Sequence, residues 1–166
     1  MMKKENIVPA STEADWESIQ ELAYTIWPSW YGQILSFEQI EYMLRELYHP
    51  EVLKARHDAG EQYFLLKRGP QAIGFFAVQA LNSNVLKLEK LYLLEEERGR
   101  KLGQFMLAEA ESLAKKSGYS TLTLNVNRFN PSFHFYQQAG YLIKKQVDIP
   151  FGPFVLNDFI LEKKPI

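Results

Sequence analysis

The sequence predicts an α/β fold with a mixed, twisted central sheet flanked by helices on both faces. Two amphipathic helical stripes occupy the first third of the chain, and short apolar runs of strand length fill most of the rest. The stretch from Val85 to Asn127 has the strand–helix–strand order and the length of a right-handed parallel crossover. With 166 residues and neither a repeat nor a linker, the chain is expected to form one domain over residues 1–166.

A strand and a helix open the chain. The apolar run from Ile7 to Ala10 has strand length, and Thr12 followed by Asp15 is a capping signature for a helix. The apolar stripe of that helix recurs at i, i+3, i+4 and i+7 until Pro28, where the missing N–H predicts its end. Residues Trp27 to Tyr31 are therefore expected to form an aromatic loop.

A second amphipathic helix follows, capped by Ser36 and ended before Pro50. The segment from Pro50 to Gly60 is then either a short third helix or an ordered turn. Beyond it the apolar pattern takes the period of strands. The runs Tyr63–Leu66 and Ala72–Val78 flank a Gly-Pro turn and predict a hairpin.

Strands and helices alternate over the rest of the chain. A strand from Val85 to Leu94 precedes a helix that runs from Leu102 to Gly118, a natural left-handed terminus. A strand from Leu122 to Val126 leads to Asn130-Pro131, a good cap and first residue for a helix that ends at Gly140. Two last strands, within residues 141–161, are expected around a Gly-Pro turn.

Composition excludes several classes of protein. A formal net charge of −1 argues against nucleic-acid binding, because that affinity comes mainly from cations on phosphates. The absence of cysteine excludes disulfides, thiolate metal sites and a cysteine nucleophile. His49, His57 and His134 show no paired ligand spacing, so no metal is expected. No apolar run approaches the roughly 20 residues of a membrane span, which predicts a cytoplasmic protein without a membrane partner.

The most unusual local sequence is the turn from Glu97 to Gly103, with three cations and two glycines between a strand and a helix. Backbone N–H groups at a helix start are unpaired, and glycine lets a ligand approach them closely. Arginine and lysine add direct partners for phosphate oxygens. The turn therefore either binds a phosphate group or is a solvated basic helix start after an acidic run.

The turn and the segment after it resemble the GNAT superfamily of acyl-CoA N-acyltransferases. In that family a strand leads through an Arg/Gln-x-x-Gly-x-Gly turn into a long amphipathic helix. Here Arg98 and Gly103 match, and Lys101 stands where the first glycine is usual. The stretch from Leu122 to Tyr141 is similar to the family's next strand and helix, with its Asn, its Phe-Tyr pair and its terminal Gly-aromatic pair. The order of predicted elements also fits, so the chain is identified as a member of this superfamily.

The resemblance implies acetyl-CoA as the cosubstrate. The strand Leu88–Leu94 is expected to splay from the strand Leu122–Asn127, with the pantetheine arm in the gap and paired with backbone groups of Tyr92 and Leu93. Asn130 would contact the cosubstrate from the second helix. The pyrophosphate would lie on the turn formed by Arg98, Gly99, Arg100, Lys101, Leu102 and Gly103.

The resemblance also implies catalytic roles. Tyr136 matches the tyrosine that protonates the departing CoA thiolate, and its alternative is a helix tyrosine packed on the sheet. Glu89 is the candidate that removes the amine proton, directly or through water; alternatively it is an exposed carboxylate paired with Lys87 or Lys90. A backbone N–H within residues 91–93 would stabilise the oxyanion. Without a cysteine, direct attack in a ternary complex is expected rather than an acyl-enzyme.

In this superfamily the acceptor pocket is built by the first two helices and the final hairpin. Aromatic rings and carboxylates there would hold a cationic amine, unless they are simply core or rim residues. Two stretches, Ser36–Leu44 and Gly152–Ile160, are similar to a subgroup that includes spermidine and peptide or protein N-acetyltransferases. The candidate acceptor residues are Trp27, Trp30, Tyr31, Phe151, Phe154, Asp148 and Asp158.

The expected function is transfer of an acetyl group from acetyl-CoA to a primary amine of a polyamine-like small molecule or of a peptide or protein. A different class, an acyl-CoA-binding sensor without turnover, is the alternative, motivated by Lys101 in place of glycine. Nucleic-acid association through the basic turn is disfavoured by the acidic run Glu95–Glu97 beside it. The terminal hairpin is expected to be exposed, which leaves a homodimer open.

Overall fold

The computed structural model describes residues 4–166 of the chain. Within them the strands are β1 (Glu5–Ala10), β2 (Gln62–Arg68), β3 (Gln71–Ala80), β4 (Val85–Leu93), β5 (Thr121–Asn127), β6 (Leu142–Phe151) and β7 (Phe154–Lys163). The helices are α1 (Glu13–Tyr31), α2 (Phe37–Tyr48), α3 (Pro50–Asp58), α4 (Leu102–Lys116) and α5 (Ser132–Gln138). The strands form one sheet flanked by the helices, which confirms the predicted α/β class.

The strands are arranged in the order β1-β2-β3-β4-β5-β7-β6. Neighbouring strands are antiparallel, except β4 and β5, which run parallel and are joined through α4. This pair is the crossover predicted between Val85 and Asn127. Helix α1 packs on β3 and β4, while α4 packs on β4 and β5, and α5 on β5. All three helices therefore meet the sheet at its centre, around the parallel pair.

Strand β4 carries one extra residue at the point where it leaves β5. On the β3 side, Leu88 and Lys90 face consecutive residues, so Glu89 between them has no partner and forms a β-bulge. On the β5 side, pairing ends where Leu88 meets Leu124. The rest of β4 diverges from β5, which is the splay that the family resemblance implied.

Helix α1 begins as predicted but ends later. Thr12 Oγ1 accepts from Asp15 N at 3.2 Å, and Asp15 Oδ2 accepts from Thr12 N at 3.0 Å, which is a reciprocal capping box. The prediction that Pro28 ends the helix and leaves Trp27 to Tyr31 as an aromatic loop is wrong. Proline removes a single helical hydrogen bond, whereas the buried Trp27 ring and a 3.0 Å bond to the Pro28 carbonyl hold the last turn.

At the starts of two shorter helices a side chain accepts a backbone hydrogen bond, and only the one at Asn130 was predicted. Of the two alternatives for the segment after Pro50, the helix is present, and His49 Nδ1 accepts from Glu51 N at 3.4 Å. Helix α5 is capped by Asn130, whose Oδ1 accepts from Ser132 N at 2.9 Å. Among residues 4–166, none of the helices has the length and apolar content to cross a membrane.

Candidate active site

A cleft of about 730 Å³ lies where β4 and β5 separate. Residues 88–93 of β4 and 124–127 of β5 form its sides, and α1, α2, the first turns of α4 and α5 and the β6–β7 hairpin complete its walls. Backbone groups of β4 beyond Leu88 that would pair with β5 in a continuous sheet face this space instead. The cleft therefore offers unpaired strand groups beside two helix N-termini.

The turn between β4 and α4 brings backbone N–H groups to the cleft. Gly99 and Lys101 have left-handed backbone angles, with φ of 80° and 61°, and Lys101 caps α4 without a side-chain hydrogen bond. The first backbone bond of the helix runs from Phe105 N to Lys101 O, so the amides of residues 102–104 precede the helical ladder. These amides and the helix dipole favour an anion. The predicted turn residues that line the cleft are Arg98, Gly99, Lys101, Leu102 and Gly103.

Arg98 is a partly buried cation with unmet hydrogen-bond donors. Its Nε and Nη2 atoms are buried and have no partner in the part of the chain that the structure describes. The guanidinium lies over the Trp30 ring, 3.7 Å from the ring centroid, and its ion pair with Glu95 is long, at 4.0 Å. Burial lowers the pKa of Arg98. Such a group fits a diphosphate, which would supply acceptor oxygens and negative charge together.

Two predicted site residues have other partners. The exposed side chain of Arg100 pairs with Glu97 at 3.6 Å, and Arg100 does not line the cleft. Trp30 was expected in the acceptor pocket. It lines the cleft, but its ring supports Arg98 and its Nε1 donates to the Leu93 carbonyl at 3.5 Å.

Helix α5 places Tyr136 against the opposite side of the cleft. The residue is 7% exposed, lines the cleft, and packs edge-on against Phe135 and Tyr141. Burial raises the pKa of the Tyr136 phenol, so the hydroxyl stays protonated at neutral pH. Asn130, the cap of the same helix, is buried and lines the cleft as well.

Glu89 lies at the cleft and also has one of the two lysine partners that the sequence offered it. It lines the cleft at the bulge, and its side chain is 20% exposed. Lys87 Nζ lies 3.5 Å from its carboxylate. The other candidate partner, Lys90, is paired instead with Glu61 at 2.6 Å. Glu89 is thus an ion-paired carboxylate at the edge of the gap.

Aromatic residues of α1 reach the centre of the cleft. The hydroxyls of Tyr31 and Tyr92 are 2.9 Å apart, and the Trp27 ring tilts against both tyrosines, with centroids at 4.6 and 5.8 Å. Burial raises the pKa of Tyr31 to about 12. The three rings are therefore a rigid, mostly apolar wall with a hydrogen-bonded pair of hydroxyls.

Asp158 of β7 brings a partly buried carboxylate to the same cleft. Burial raises its pKa, and the Asn125 amide lies 3.4 Å from its Oδ2 atom. A cationic group arriving at this carboxylate would restore the charge stabilisation that burial removes.

Fewer of the predicted residues of the final hairpin line the cleft than expected. Phe151 lines the cleft, whereas Phe154 does not and instead packs on Tyr42, with centroids 5.6 Å apart. Asp148 also lies outside the lining and is held by Arg128 and by Asn157, whose Nδ2 donates at 2.9 Å. In residues 4–166 no three acidic or histidine side chains come together as metal ligands.

No site role was predicted for Arg56, and Lys90 was named only as a possible partner of Glu89, yet both line the cleft. A signal for Lys90 was present, because the period-2 pattern that buries Leu86 and Leu88 puts Lys90 at the next buried position. Arg56 lies on a short, mostly polar helix, and nothing in its local sequence indicates that it reaches the cleft.

The chain is similar to known proteins both in sequence and in structure. The sequence model of the acetyltransferase (GNAT) family matches residues 16–141. Spermidine N(1)-acetyltransferase of Thermoplasma acidophilum is 31% identical over 156 residues, which cover 90% of this chain and 91% of that protein.

Solved structures show the same fold. PaiA N-acetyltransferase from Thermoplasma acidophilum, in complex with coenzyme A, is 30% identical, with a TM-score of 0.83 over 97% of this chain and 99% of that chain. The ribosomal-protein-S18-alanine N-acetyltransferase of Escherichia coli has a TM-score of 0.74 at 13% identity, covering 98% of this chain and 94% of that chain. At that identity the likeness concerns the fold alone.

Proposed function

Because the chain belongs to the acetyltransferase (GNAT) family, it is an acetyl-CoA-dependent enzyme that acetylates an amine, and we propose that the transfer takes place in the cleft between β4 and β5. The observation that carries this proposal is the end of strand pairing at Leu88. The gap that opens there joins an anion-binding turn on one side to a buried phenol on the other.

The residues around the gap fit acetyl-CoA. Arg98 and the free amides of residues 102–104 would hold the diphosphate, with Gly99 and Lys101 shaping the turn. Arg100 would add long-range positive charge from outside the cleft. The β5-facing edge of β4, including the backbone of Tyr92 and Leu93, would pair with the pantetheine arm, and Asn130 would contact it from α5.

In the proposed reaction the amine nitrogen attacks the thioester carbonyl carbon to form a tetrahedral intermediate, and the carbon–sulfur bond breaks as that intermediate collapses. Acetyl-CoA supplies the activated acetyl group, and no acyl-enzyme forms. Tyr136 donates its phenolic proton to the departing sulfur. The amine proton passes to Glu89, directly or through water. Backbone N–H groups within residues 91–93 stabilise the developing oxyanion, a contribution of about 3 kcal/mol for a preorganised donor.

The acceptor end of the cleft would bind a primary amine. Asp158 offers the carboxylate, and Trp27 and Tyr31 offer aromatic faces for a cation. Spermidine, named for one relative, represents the polyamine class, and a peptide or protein N-terminus is the other class. We further propose that the enzyme works as one domain in the cytoplasm; the exposed apolar residues Leu142 and Ile143 on β6 would suit a homodimer.

The test is an acceptor screen that follows release of free thiol from acetyl-CoA. Polyamines, amino-acid amines and short peptides are compared, first with the wild-type protein and then with Tyr136→Phe. Loss of the general acid is expected to lower kcat about 100-fold or more, because positioned proton transfer contributes on the order of 10² to 10⁴. The KM for acetyl-CoA should change little, since the ring remains.

Tyr119→Phe is the matched control, because this half-buried tyrosine lies outside the large cleft. Undiminished turnover by Tyr136→Phe would remove Tyr136 from the mechanism. Calorimetry tests the second candidate function, an acyl-CoA sensor without turnover. Acetyl-CoA that binds but is never consumed with any amine would favour the sensor. The feature that motivates this alternative is Lys101 in place of glycine.

A further inference from the structure

A row of alternating charges lies in the wall of the cleft, and all of its members except the buried Glu61 line the cleft. Each carboxylate lies between two cations, or beside one at the end of the row. Arg56 Nη1 is 3.7 Å from the Glu61 carboxylate, Lys90 Nζ is 2.6 Å from it, and Lys87 Nζ is 3.5 Å from the Glu89 carboxylate. We call this set the charge row; its members are Arg56, Glu61, Lys90, Glu89, Lys87 and Asp158.

The middle of the charge row is electrically neutral. Glu61 is 1% exposed and is satisfied by Lys90 and by the Tyr63 hydroxyl, both at 2.6 Å. This pair is neutral wherever its proton lies, because moving the proton from lysine to glutamate removes both charges. Lys87 and Glu89 form the second neutral pair.

The two ends of the charge row are not neutralised. Arg56 touches only a carboxylate that Lys90 already satisfies, and among residues 4–166 its 40% exposed side chain makes no hydrogen bond. Asp158 faces Lys87 and Arg128, but each of these cations has a closer carboxylate of its own. The cleft therefore has an unmatched positive charge at the α3 end and an unmatched negative charge at the β7 end.

The distance between Arg56 and Asp158 limits which ligands can pair with both charges. Lys90 on β4 and Asp158 on β7 have β5 between them, so they lie roughly 10 Å or more apart at about 4.8 Å per strand. Arg56 lies beyond Lys90, because its carboxylate contact, Glu61, directly precedes β2, which is two strands from β4. An extended chain spans at most about 3.6 Å per residue, so a molecule that reaches both ends needs three or more residues.

We propose that the acceptor is a peptide whose N-terminal amine lies at Asp158 and whose acidic group, three or more residues along, lies at Arg56. The inference rests on the proposed function of the cleft and names its substrate class. A polyamine satisfies only the Asp158 end, because its further ammonium groups would meet Arg56. The geometry thus favours a peptide with an acidic residue near its N-terminus over a polycation.

The test compares kcat/KM for a tetrapeptide amide with glutamate at its fourth position, for its glutamine analogue and for spermidine. The wild-type protein is expected to prefer the glutamate peptide about fivefold, the size of one partly exposed ion pair. Arg56→Gln should abolish this preference, mainly through KM. Lys54→Gln is the control, because Lys54 lies on the same helix, pairs with Asp58 at 2.8 Å and does not line the cleft.

Equal use of the two peptides by the wild-type protein would overturn the inference, as would a preference for spermidine that rises in Arg56→Gln. If no amine is acetylated, the proposed function fails, and the inference is decided by peptide binding to the CoA-loaded protein in a calorimeter. Tighter binding of the glutamate peptide that Arg56→Gln removes would support it, and equal binding of both peptides would refute it.

Discussion

Replacing Lys101 by glycine is expected to stabilise the protein. Lys101 has φ 61° and ψ 19°, and it is the one residue other than glycine with positive φ among residues 4–166. A side chain in this left-handed region costs about 1–2 kcal/mol. Glycine avoids that cost but loses more backbone freedom on folding, roughly 0.5–1 kcal/mol.

The positive charge of Lys101 is a second destabilising contribution. A cation at a helix N-terminus opposes the helix dipole by about 0.3–1 kcal/mol at an exposed site. Lys101 is exposed and caps α4 without a side-chain hydrogen bond, so its removal leaves no donor or acceptor unmet. The net gain for Lys101→Gly is therefore about 1 kcal/mol, equivalent to about 2–4 °C in Tm for a chain of this size.

Lys101→Ala separates the two contributions. Alanine removes the charge but keeps the Cβ atom, so it retains the left-handed penalty. Urea unfolding followed by circular dichroism should place the glycine variant above the alanine variant by about 1 kcal/mol. Both variants lose one cation beside the proposed diphosphate site, and both should raise the KM for acetyl-CoA to a similar extent.

Equal stability of the two variants would refute the argument from backbone strain. A glycine variant less stable than the wild-type protein would refute it as well, and would mean that the lysine side chain makes a stabilising contact. A raised KM in only one variant would show that the backbone conformation, rather than the charge, sets cosubstrate affinity.

Two further changes test the supports of the site. Gly152→Ala would place a Cβ 2.0 Å from the Tyr42 hydroxyl at a φ of 56°, so the clash and the left-handed backbone together should cost about 1–3 kcal/mol in urea unfolding. Tyr42→Leu should relieve the part due to the clash and leave the backbone part, and fully additive losses would exclude the clash as a contributor. The hydrogen bond from Arg68 lowers the pKa of Glu97, so this carboxylate stabilises the fold above its unfolded pKa of about 4.3, and the stabilisation is lost as pH falls through the folded pKa. Arg68→Gln should therefore flatten the fall in urea midpoint below about pH 4.3, and an unchanged acid profile would contradict this linkage.

Local patterns predict most of the fold because the apolar period and the caps are properties of neighbouring residues. Thr12 with Asp15, Ser36 and Asn130 all cap helices where the sequence predicts them. The end of α1 could not be predicted in this way. Trp27 holds the last turn through contacts with Tyr48 and with residues distant in sequence, and such packing outweighs the missing N–H of the following proline.

The residues of the candidate site also fall into two groups, those that local sequence predicts and those that depend on tertiary structure. The basic turn proposed to bind the diphosphate and the position of Tyr136 follow from contiguous motifs, since the turn and the helix each lie within one short stretch. The bulge at Glu89 depends on how β3 and β4 come into register, which the alternation within one strand does not specify. Arg56 reaches the cleft only because α3 packs beside the sheet, so its place in the charge row is a property of the tertiary structure.

The unfavourable features of the structure are concentrated where a ligand would compensate them. Of the four buried side-chain atoms without partners in residues 4–166, three belong to Arg98 and Trp27, and both residues line the cleft. The strained backbone of Lys101 and the unpaired edge of β4 lie in the same place. Strain and unmet donors persist only where the surrounding structure enforces them, and a ligand that meets the donors binds the folded state alone. Acetyl-CoA bound in this cleft would therefore stabilise the fold in proportion to the donors it satisfies, with Arg98 contributing most because two of its donor atoms are buried without a partner.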